Sequence, residues 1–519
     1  MARGIKKPLA AIDIGTNSFH LIVVDADPDT GRFKILDREK EIVRLGSGST
    51  DMKYISDSAM NRGIETLKRF KLIVDVAGAP VRAIATSAVR EALNQDVFIR
   101  RVKSETGIKV EIASGVEEAR LIYLGVLQAL PVFNRKILLI DIGGGSTEFL
   151  VGQERKIHYD NSVKLGAVRL TQRFFNSDKT TAKQVKRCRE YILLMINPII
   201  RALRAHNYAT VVGTSGTINN IARMILAARG DGDLMTTLNN YSFSRDELHS
   251  VYEIILKAKD SKQRSKIEGL DPGRSDIILA GSILIEQIFK ELNISSMTVS
   301  EYALREGIIL DTIEKKFKRK DIHRLDDIRY GSVIHLGENL GYEEQHCHQV
   351  AALALRIFDQ TKTLHHLGPT EREYLEAAAI LHEVGAFLSH SQHHRHSYYL
   401  IRNAELLGFT ENEKEIIANV ARYHRKSHPK YKHEGFQKLT SDDRSIVLKL
   451  AAILRIADGL DRTHASLIAD VLCKKSNKIM TFAIKRTNSS QLQMELLGAD
   501  HKKELFEEIF ELQVKFKVL

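Results

Sequence analysis

Two short apolar runs, each broken by one aspartate, stand out in the hydrophobic pattern of this chain. The first carries Ala11-Ile12-Asp13-Ile14, passes through Gly15-Thr16-Asn17-Ser18 and resumes over Phe19 to Val24. The second carries Leu139-Ile140-Asp141-Ile142, passes through Gly143-Gly144-Gly145-Ser146-Thr147-Glu148 and resumes over Phe149 to Val151. Apolar runs this short, bounded by turn residues, are strands, so each copy predicts a β-hairpin. A lone Asp-x-Gly tip is ordinary turn chemistry. Two copies, each opening its own α/β segment, form a repeat that needs a reason.

Around the first hairpin the pattern reads β-β-β-α-β-α-β-α. Strands are predicted at 8–14 and 19–26, then a Pro28-Asp29-Thr30-Gly31 turn and a third strand near 32–44. A helix starts near Ser56, with Ala59, Leu67, Phe70 and Val74 on one stripe, and stops at Gly78. Val81 to Ala85 is a strand ending in Thr86-Ser87-Ala88-Val89-Arg90 before a short helix; a strand at 108–113 precedes a helix from Val116-Glu117-Glu118. The second segment begins alike, with strands at 136–142, 147–152 and 155–162. Strand-to-helix passages follow at Val211 to Thr217 and at Met297 to Ser300. Beyond about residue 315 the pattern turns helical, and after 468 short alternation (Met480 to Ile484) returns before a charged helix at 500–513. This order predicts mixed sheets covered by helices in domains at 1–125 and 126–314, a helical domain at 315–467 and a small α/β cap at 468–519, with Lys315 to Asp321 as linker.

A chain of 519 residues is too long for one core, which agrees with several domains. The formal charge of +12 favours polyanionic partners. No arginine-rich tail, zinc-finger spacing or aromatic-interleaved RNA motif accompanies it, so nucleic acid is not the expected partner. Cys188, Cys347 and Cys473 are isolated and show no metal or disulfide spacing, which points to a reducing, cytoplasmic setting. The basic start is followed by a strand interrupted at Asp13 rather than a signal sequence, and no run is long enough to span a bilayer.

The hairpin tips carry candidate chemistry. Glycines let the backbone close on an anion, N–H groups and hydroxyls donate to phosphate oxygens, and the aspartate can hold Mg²⁺. Two tips facing each other would grip a phosphate chain from both sides.

These hairpins, with Ser114-Gly115-Val116-Glu117-Glu118-Ala119-Arg120, Gly213-Thr214-Ser215-Gly216-Thr217 and Leu304-Arg305-Glu306-Gly307, resemble the exopolyphosphatase/guanosine pentaphosphate phosphohydrolase (Ppx/GppA) family. The likeness continues through Leu381-His382-Glu383-Val384-Gly385 and His393-His394-Arg395-His396-Ser397. It implies two ribonuclease-H-like domains of the actin, sugar-kinase and heat-shock-chaperone superfamily with the active site between them. A C-terminal domain similar to HD phosphohydrolases and a homodimer are also implied.

The resemblance implies roles. Thr16, Asn17 and Ser18, with Gly143, Gly144, Gly145, Ser146 and Thr147, would clamp phosphate, and Asp13, Asp141 and Glu148 would hold Mg²⁺. Glu118 aligns with the family's catalytic glutamate. Glu117 beside it is the alternative, and consecutive helix residues point about 100° apart, so only one can face the cleft. The residues alone also allow both to be first-turn acids favoured by the helix dipole. Arg90 would contact phosphate or lie on the helix surface. Ser215, Gly216 and Thr217 would contact nucleotide or phosphate, or cap the following helix. Arg274 and Asp276 match family positions without an assignable role.

Fourteen of the twenty histidines lie between His323 and His433, which marks the helical domain as chemically distinct. His348, His382, Glu383 and Asp458 are the counterparts of an HD-type metal set. Glu383 replaces the aspartate of the doublet, and its extra methylene moves the carboxylate. A working dinuclear site is therefore not expected, metal binding as such stays open, and the expected role of this domain is to line the route of a long polyanion, with the basic stretch Arg422 to His433, or to form the dimer interface.

The function expected is Mg²⁺-dependent hydrolysis of terminal phosphates from inorganic polyphosphate. The alternative in the same cleft is conversion of guanosine pentaphosphate to the tetraphosphate. An ATP-driven switch would leave Glu118 unexplained, and a non-catalytic polyphosphate or alarmone sensor would bind but release no phosphate.

Overall fold

The structure, a computed structural model, describes residues 7–27, 33–47, 52–175, 179–230, 237–317, 328–404, 406, 409–487 and 491–519. The chain forms two compact units, Met1–Ile328 and Arg329–Leu519.

The first unit holds two sheets of one plan. β1 (Lys7–Ile14), β2 (Ser18–Ala26), β3 (Phe33–Ile42), β4 (Val81–Ala85) and β5 (Val110–Ile112) lie in the order β3-β2-β1-β4-β5. β6 (Ile137–Ile142), β7 (Thr147–Gln153), β8 (Lys156–Val163), β9 (Thr210–Thr214), β10 (Ser242–Ser244) and β11 (Ser296–Ser300) lie in the order β8-β7-β6-β9-β11-β10. In both, a hairpin pairs antiparallel and its first strand then pairs parallel with the strand that follows a helix. These are two ribonuclease-H-like domains in tandem, and the sequence repeat is their shared hairpin. β6 is buried throughout because helices cover the sheet, which is why its apolar run shows no alternation.

Caps fix the helices where the pattern places them. Ser56 accepts a hydrogen bond from the Ala59 N–H, and the helix Asp57–Val76 ends against Gly78 at φ +60°. Ser114 accepts from the Glu117 N–H at 3.2 Å and starts the helix Gly115–Ala129. That helix runs through the expected boundary at 125. The helix Leu304–Phe317 likewise runs through the boundary at 314 and returns to the first domain. Its Asp311 accepts from Arg82 of β4 at 2.5 Å and from Arg120 at 2.7 Å. The first domain is therefore discontinuous, which a strictly sequential partition does not represent. Glycines permit the approach of these two helices: a Cβ on Gly125 would lie 2.2 Å from the Ala303 carbonyl oxygen, and one on Gly307 1.8 Å from that of Leu121. Lys315 to Phe317 of the expected linker are helical; residues 318–321, and the turn expected at 28–31, lie outside the described residues.

The second unit packs the helices Glu344–Gln360, Pro369–Leu381, His393–Asn403, Glu411–Arg422 and Ser441–Gly459 with a sheet of β12 (Ile468–Ser476), β13 (Ile479–Arg486) and β14 (Gln513–Val518). One core joins Leu450, Ile453 and Leu454 to Val471, Phe482, Phe506 and Val514. Residues 468–519 are thus part of the helical domain's core and not a separate cap. The helix expected at 500–513 is instead two helices, Gln493–Asp500 and Glu504–Phe510, followed by a strand. Val514, Phe516 and Val518 alternate with Gln513, Lys515 and Lys517, and that period of two belongs to β14. Among the described residues no helix is long and apolar enough to cross a membrane, and the three cysteines are unpaired.

Candidate active site

The two hairpin tips face each other within the first unit. Each closes on the same bond, from the Gly15 N–H to the Ser18 carbonyl (3.2 Å) and from the Gly143 N–H to the Ser146 carbonyl (3.1 Å). A Cβ on Gly145 would meet the Ser87 Oγ at 2.5 Å and the Thr16 Oγ1 at 2.8 Å. Glycine is needed there because the opposing loops leave no room. Arg169 locks the arrangement: its Nε donates to the Gly145 carbonyl at 2.8 Å, and its Nη2 donates to Glu91 at 3.0 Å. Ser87 also donates to Glu91, at 2.9 Å, so one carboxylate ties both domains' loops together.

Between the tips lies a cleft of about 800 Å³ lined by both acids and cations. Asp13, Glu118 and Asp141 line it, and Glu148, opposite Asp141 across the β6–β7 pair, stands behind them. Burial, then the charges of Glu118 and Asp141, pushes the Asp13 carboxyl up to about 8 despite Arg305. Burial and Glu118 push Asp141 up to about 7, against a hydrogen bond from Ser215. Burial raises Glu148 well above the usual range, with Glu118 and Asp141 adding to it. Asp141 Oδ2 and Glu148 Oε2 are buried without a hydrogen-bond partner among the described residues. Four carboxylates this close repel unless a cation lies among them. All-oxygen donors suit a hard divalent ion, and Asp13, Asp141 and Glu148 are the residues that fit one.

The choice between Glu117 and Glu118 follows from side-chain direction. Glu117 points outward into a two-bond fork from Arg120, each bond 2.8 Å. Glu118 is buried and lines the cleft, with Oε2 accepting from Arg90 Nη1 at 2.7 Å. Burial raises its pKa, and Arg90 opposes the rise.

The cleft also contains Thr16, Asn17, Ser18, Gly143, Gly144, Gly145, Ser146, Ser215 and Gly216. Other expected ligands are placed elsewhere. Arg90 donates to Glu118 and to the Ala113 carbonyl (2.9 Å); it does not line the cleft, although Ser87 at the start of the same short helix meets the Gly145 tip. The Thr147 hydroxyl is fully buried and donates to the Leu165 carbonyl at 2.6 Å; as the first residue of β7 it has already turned into the sheet. Thr217 is buried against Gly281, one helical step past the half-buried Ser215-Gly216 pair. In the second unit His348 shares a hydrogen bond with Tyr342 at 3.1 Å, whereas His346 stands with His382 and Glu383. Two helix residues apart is a rotation of about 200°, so His348 and His346 occupy opposite faces.

Residues that the sequence reading left without roles also line the cleft: His20, Arg38, Lys40, Arg223, Arg274 and Arg305, with Lys40 paired to Asp271 at 3.2 Å and Arg223 to Glu301 at 3.0 Å. Arg38 and Lys40 share a face of β3 by period two, a signal available in the sequence but unremarkable on an edge strand. Arg274 is buried, its Nε has no partner among the described residues, and a Cβ on Gly216 would lie 1.6 Å from its Nη1. An arginine in this state is prepared for an anion. His20 is held well below its ordinary pKa by burial and by Arg305, Lys40 and Arg274, so it is neutral.

The Ppx/GppA phosphatase family pattern matches residues 22–316, more than half of the chain, and that of the family's domain III matches 328–505. The chain belongs to the Ppx/GppA phosphatase family. It is 31% identical over 424 residues to the guanosine-5'-triphosphate,3'-diphosphate pyrophosphatase of Photobacterium profundum, covering 81% of either chain. Solved structures of similar fold include an exopolyphosphatase from Cytophaga hutchinsonii (32% identity, TM-score 0.56) and an Aquifex aeolicus member of the Ppx/GppA family (26% identity, TM-score 0.50). Each alignment covers 60% of this chain and 98% of the other. As a member of the Ppx/GppA phosphatase family the protein is a phosphoanhydride hydrolase.

Proposed function

We propose that the cleft hydrolyses the terminal phosphoanhydride of inorganic polyphosphate, with Mg²⁺ as cofactor, in a cytoplasmic enzyme. The observation carrying this is the buried carboxylate group set between two donor-rich tips, in a cleft that Arg38, Lys40, Arg274 and Arg305 also line. The tips hold the terminal phosphate, and Arg38, Lys40, Arg274 and Arg305 draw the following phosphates along the cleft. When bound, Mg²⁺ supplies charge neutralisation on the phosphate oxygens. Arg90 occupies Glu118 Oε2, and Oε1 is the carboxylate's other oxygen. Glu118 accepts a proton from the attacking water through that oxygen, and the Arg90 contact fixes the carboxylate's direction. The unpaired cysteines support the cytoplasmic placement.

One further observation favours guanosine pentaphosphate as a second substrate. Leu226, Ala227, Leu238 and Leu270 line part of the cleft, an apolar wall suited to a purine and of no use to polyphosphate. The relative from Photobacterium profundum is named for that chemistry. Phosphate release from long-chain polyphosphate and from guanosine pentaphosphate, with Mg²⁺, for wild type and Glu118→Gln, tests both readings. Release by wild type, with turnover lower by about 10²–10⁴ in the variant, is expected. No release from either substrate would overturn the hydrolase reading, and undiminished turnover in the variant would remove Glu118 as the base.

A further inference from the structure

We propose that the second unit binds first-row transition-metal ions in a buried pocket made by His346, His382, Glu383, His393, His424 and Asp458. Five helical segments deliver these side chains to one place. His346 is on Glu344–Gln360, His382 and Glu383 follow Pro369–Leu381, His393 opens His393–Asn403, His424 follows Glu411–Arg422, and Asp458 is on Ser441–Gly459. Three overlapping triads have all their donor atoms within 4.8 Å of one another: His346/His382/Glu383, His382/His424/Asp458 and Glu383/His393/His424. Ion-to-ligand distances of about 2.0–2.2 Å place the donors of one ion at that spacing. Glu383 belongs to two triads, so the pocket has ligands for two ions that share it.

Ring orientation separates this cluster from histidines packed for structure. Each ring has Nδ1 engaged on the outer side: His382 with the Ala379 carbonyl (2.7 Å), His424 with the Ala421 carbonyl (2.7 Å), His393 with the His390 carbonyl (3.2 Å) and His346 with Asp461 (2.8 Å). A carbonyl only accepts, so Nδ1 carries the proton and Nε2 presents a lone pair inward. This is the arrangement of metal-ligating imidazoles, with the other nitrogen fixed by a carbonyl or carboxylate. The Nε2 atoms of His346 and His382 have no hydrogen-bond partner among the described residues, and both face Asp458 Oδ1, at 3.9 and 3.8 Å. Those of His393 and His424 meet at 3.3 Å, two lone pairs facing each other, which a cation between them resolves.

Two protein cations already reach this place. Lys502 forms a close ion pair with Asp458, and Arg425 Nη1 lies 3.3 Å from His393 Nε2. Both sit on flexible stems and compete with an entering ion. Four imidazoles with two carboxylates select Zn²⁺, Co²⁺, Ni²⁺, Mn²⁺ or Fe²⁺ over Mg²⁺, whose donors are oxygens. The pocket therefore differs from the carboxylate cleft in the ion it takes as well as in position along the chain.

The test uses the full chain, stripped with chelator and reloaded separately with Co²⁺ and Zn²⁺. Metal content after gel filtration and the visible absorption of the Co²⁺ form are measured for wild type, His346→Ala/His382→Ala, His348→Ala and Lys502→Met. Wild type and His348→Ala should retain one or two equivalents with the spectrum of nitrogen-coordinated Co²⁺, and the double variant less than a tenth of that. Lys502→Met should bind about tenfold more tightly, because it removes the competing cation and no ligand. Should the double variant fail to fold, the Lys502→Met comparison decides. No retained metal in wild type, equal retention in a folded double variant, or unchanged affinity in Lys502→Met would overturn the proposal.

Discussion

His20 and Glu148 hold the same place in the two hairpins. His20 lies opposite Asp13 across β1 and β2, and Glu148 lies opposite Asp141 across β6 and β7. Each is hydrogen-bonded to the serine two residues before it, Ser18 at 2.8 Å and Ser146 at 2.7 Å. The repeat is thus kept in backbone and serine but divided in charge, a neutral imidazole on one side and a carboxylate on the other. Glu148→Gln should weaken the apparent affinity for Mg²⁺ by about 10–100-fold, whereas His20→Gln should leave it nearly unchanged. Activity titrated against Mg²⁺ at saturating substrate checks this, and equal effects of the two changes would contradict it.

Arg90 acts through Glu118. Arg90→Met keeps the volume but frees the carboxylate's orientation, and a displacement of about 1 Å costs on the order of 10²-fold in rate. The loss should appear in kcat with KM changed less than threefold. A change confined to KM would restore the direct phosphate contact that the structure does not show.

Arg274 should act on binding. Removing an arginine that meets a phosphate costs about 1.5–3 kcal/mol, so Arg274→Met should raise KM by about 10–100-fold with kcat nearly intact. Gly216→Ala should do the same at a distance, since its Cβ would enter the guanidinium. Steady-state kinetics of both variants, with folding verified by circular dichroism, decide the point.

Asp311 predicts an acid-labile joint. Lys315, Arg120 and Arg82 surround its carboxylate and hold its pKa down to about 2, below the ordinary aspartate value of 3.8. A folded-state value below the unfolded one means that stability is present above about pH 4 and is lost as the pH falls towards 2. The contribution is about 2 kcal/mol. Denaturant midpoints from pH 5 to pH 2 should fall less steeply in Asp311→Asn, which should also be less stable at neutral pH because Arg82, Arg120 and Lys315 lose the carboxylate they share.

Sequence pattern reached the strands, the repeat and most of the carboxylates because those features are local. Asp13, Asp141 and Glu148 sit at fixed offsets from glycine tips, and a period of two or 3.6 locates the strands and helices around them. What it missed depends on partners far along the chain. Arg38, Lys40 and Arg274 join the cleft only when β3 and the turn after Asp271 are folded beside it. Arg90 looks like a phosphate ligand until Glu118, 28 residues on, is seen to take its donor. His346 and His348 are indistinguishable as letters and separated only by helix phase. Thr147 and Thr217 have the right chemistry one residue too deep in a strand or helix.

The close contact of Gly125 with Ala303 has a mechanical consequence. The chain passes between the two ribonuclease-H-like domains twice, once after Ala129 and once at Glu301 to Ala303, and the helices beside these crossings touch. A single tether would let the halves swing and twist freely. Two tethers side by side leave one axis of relative rotation, as a door hinge does, and so hold both loop tips in a single alignment.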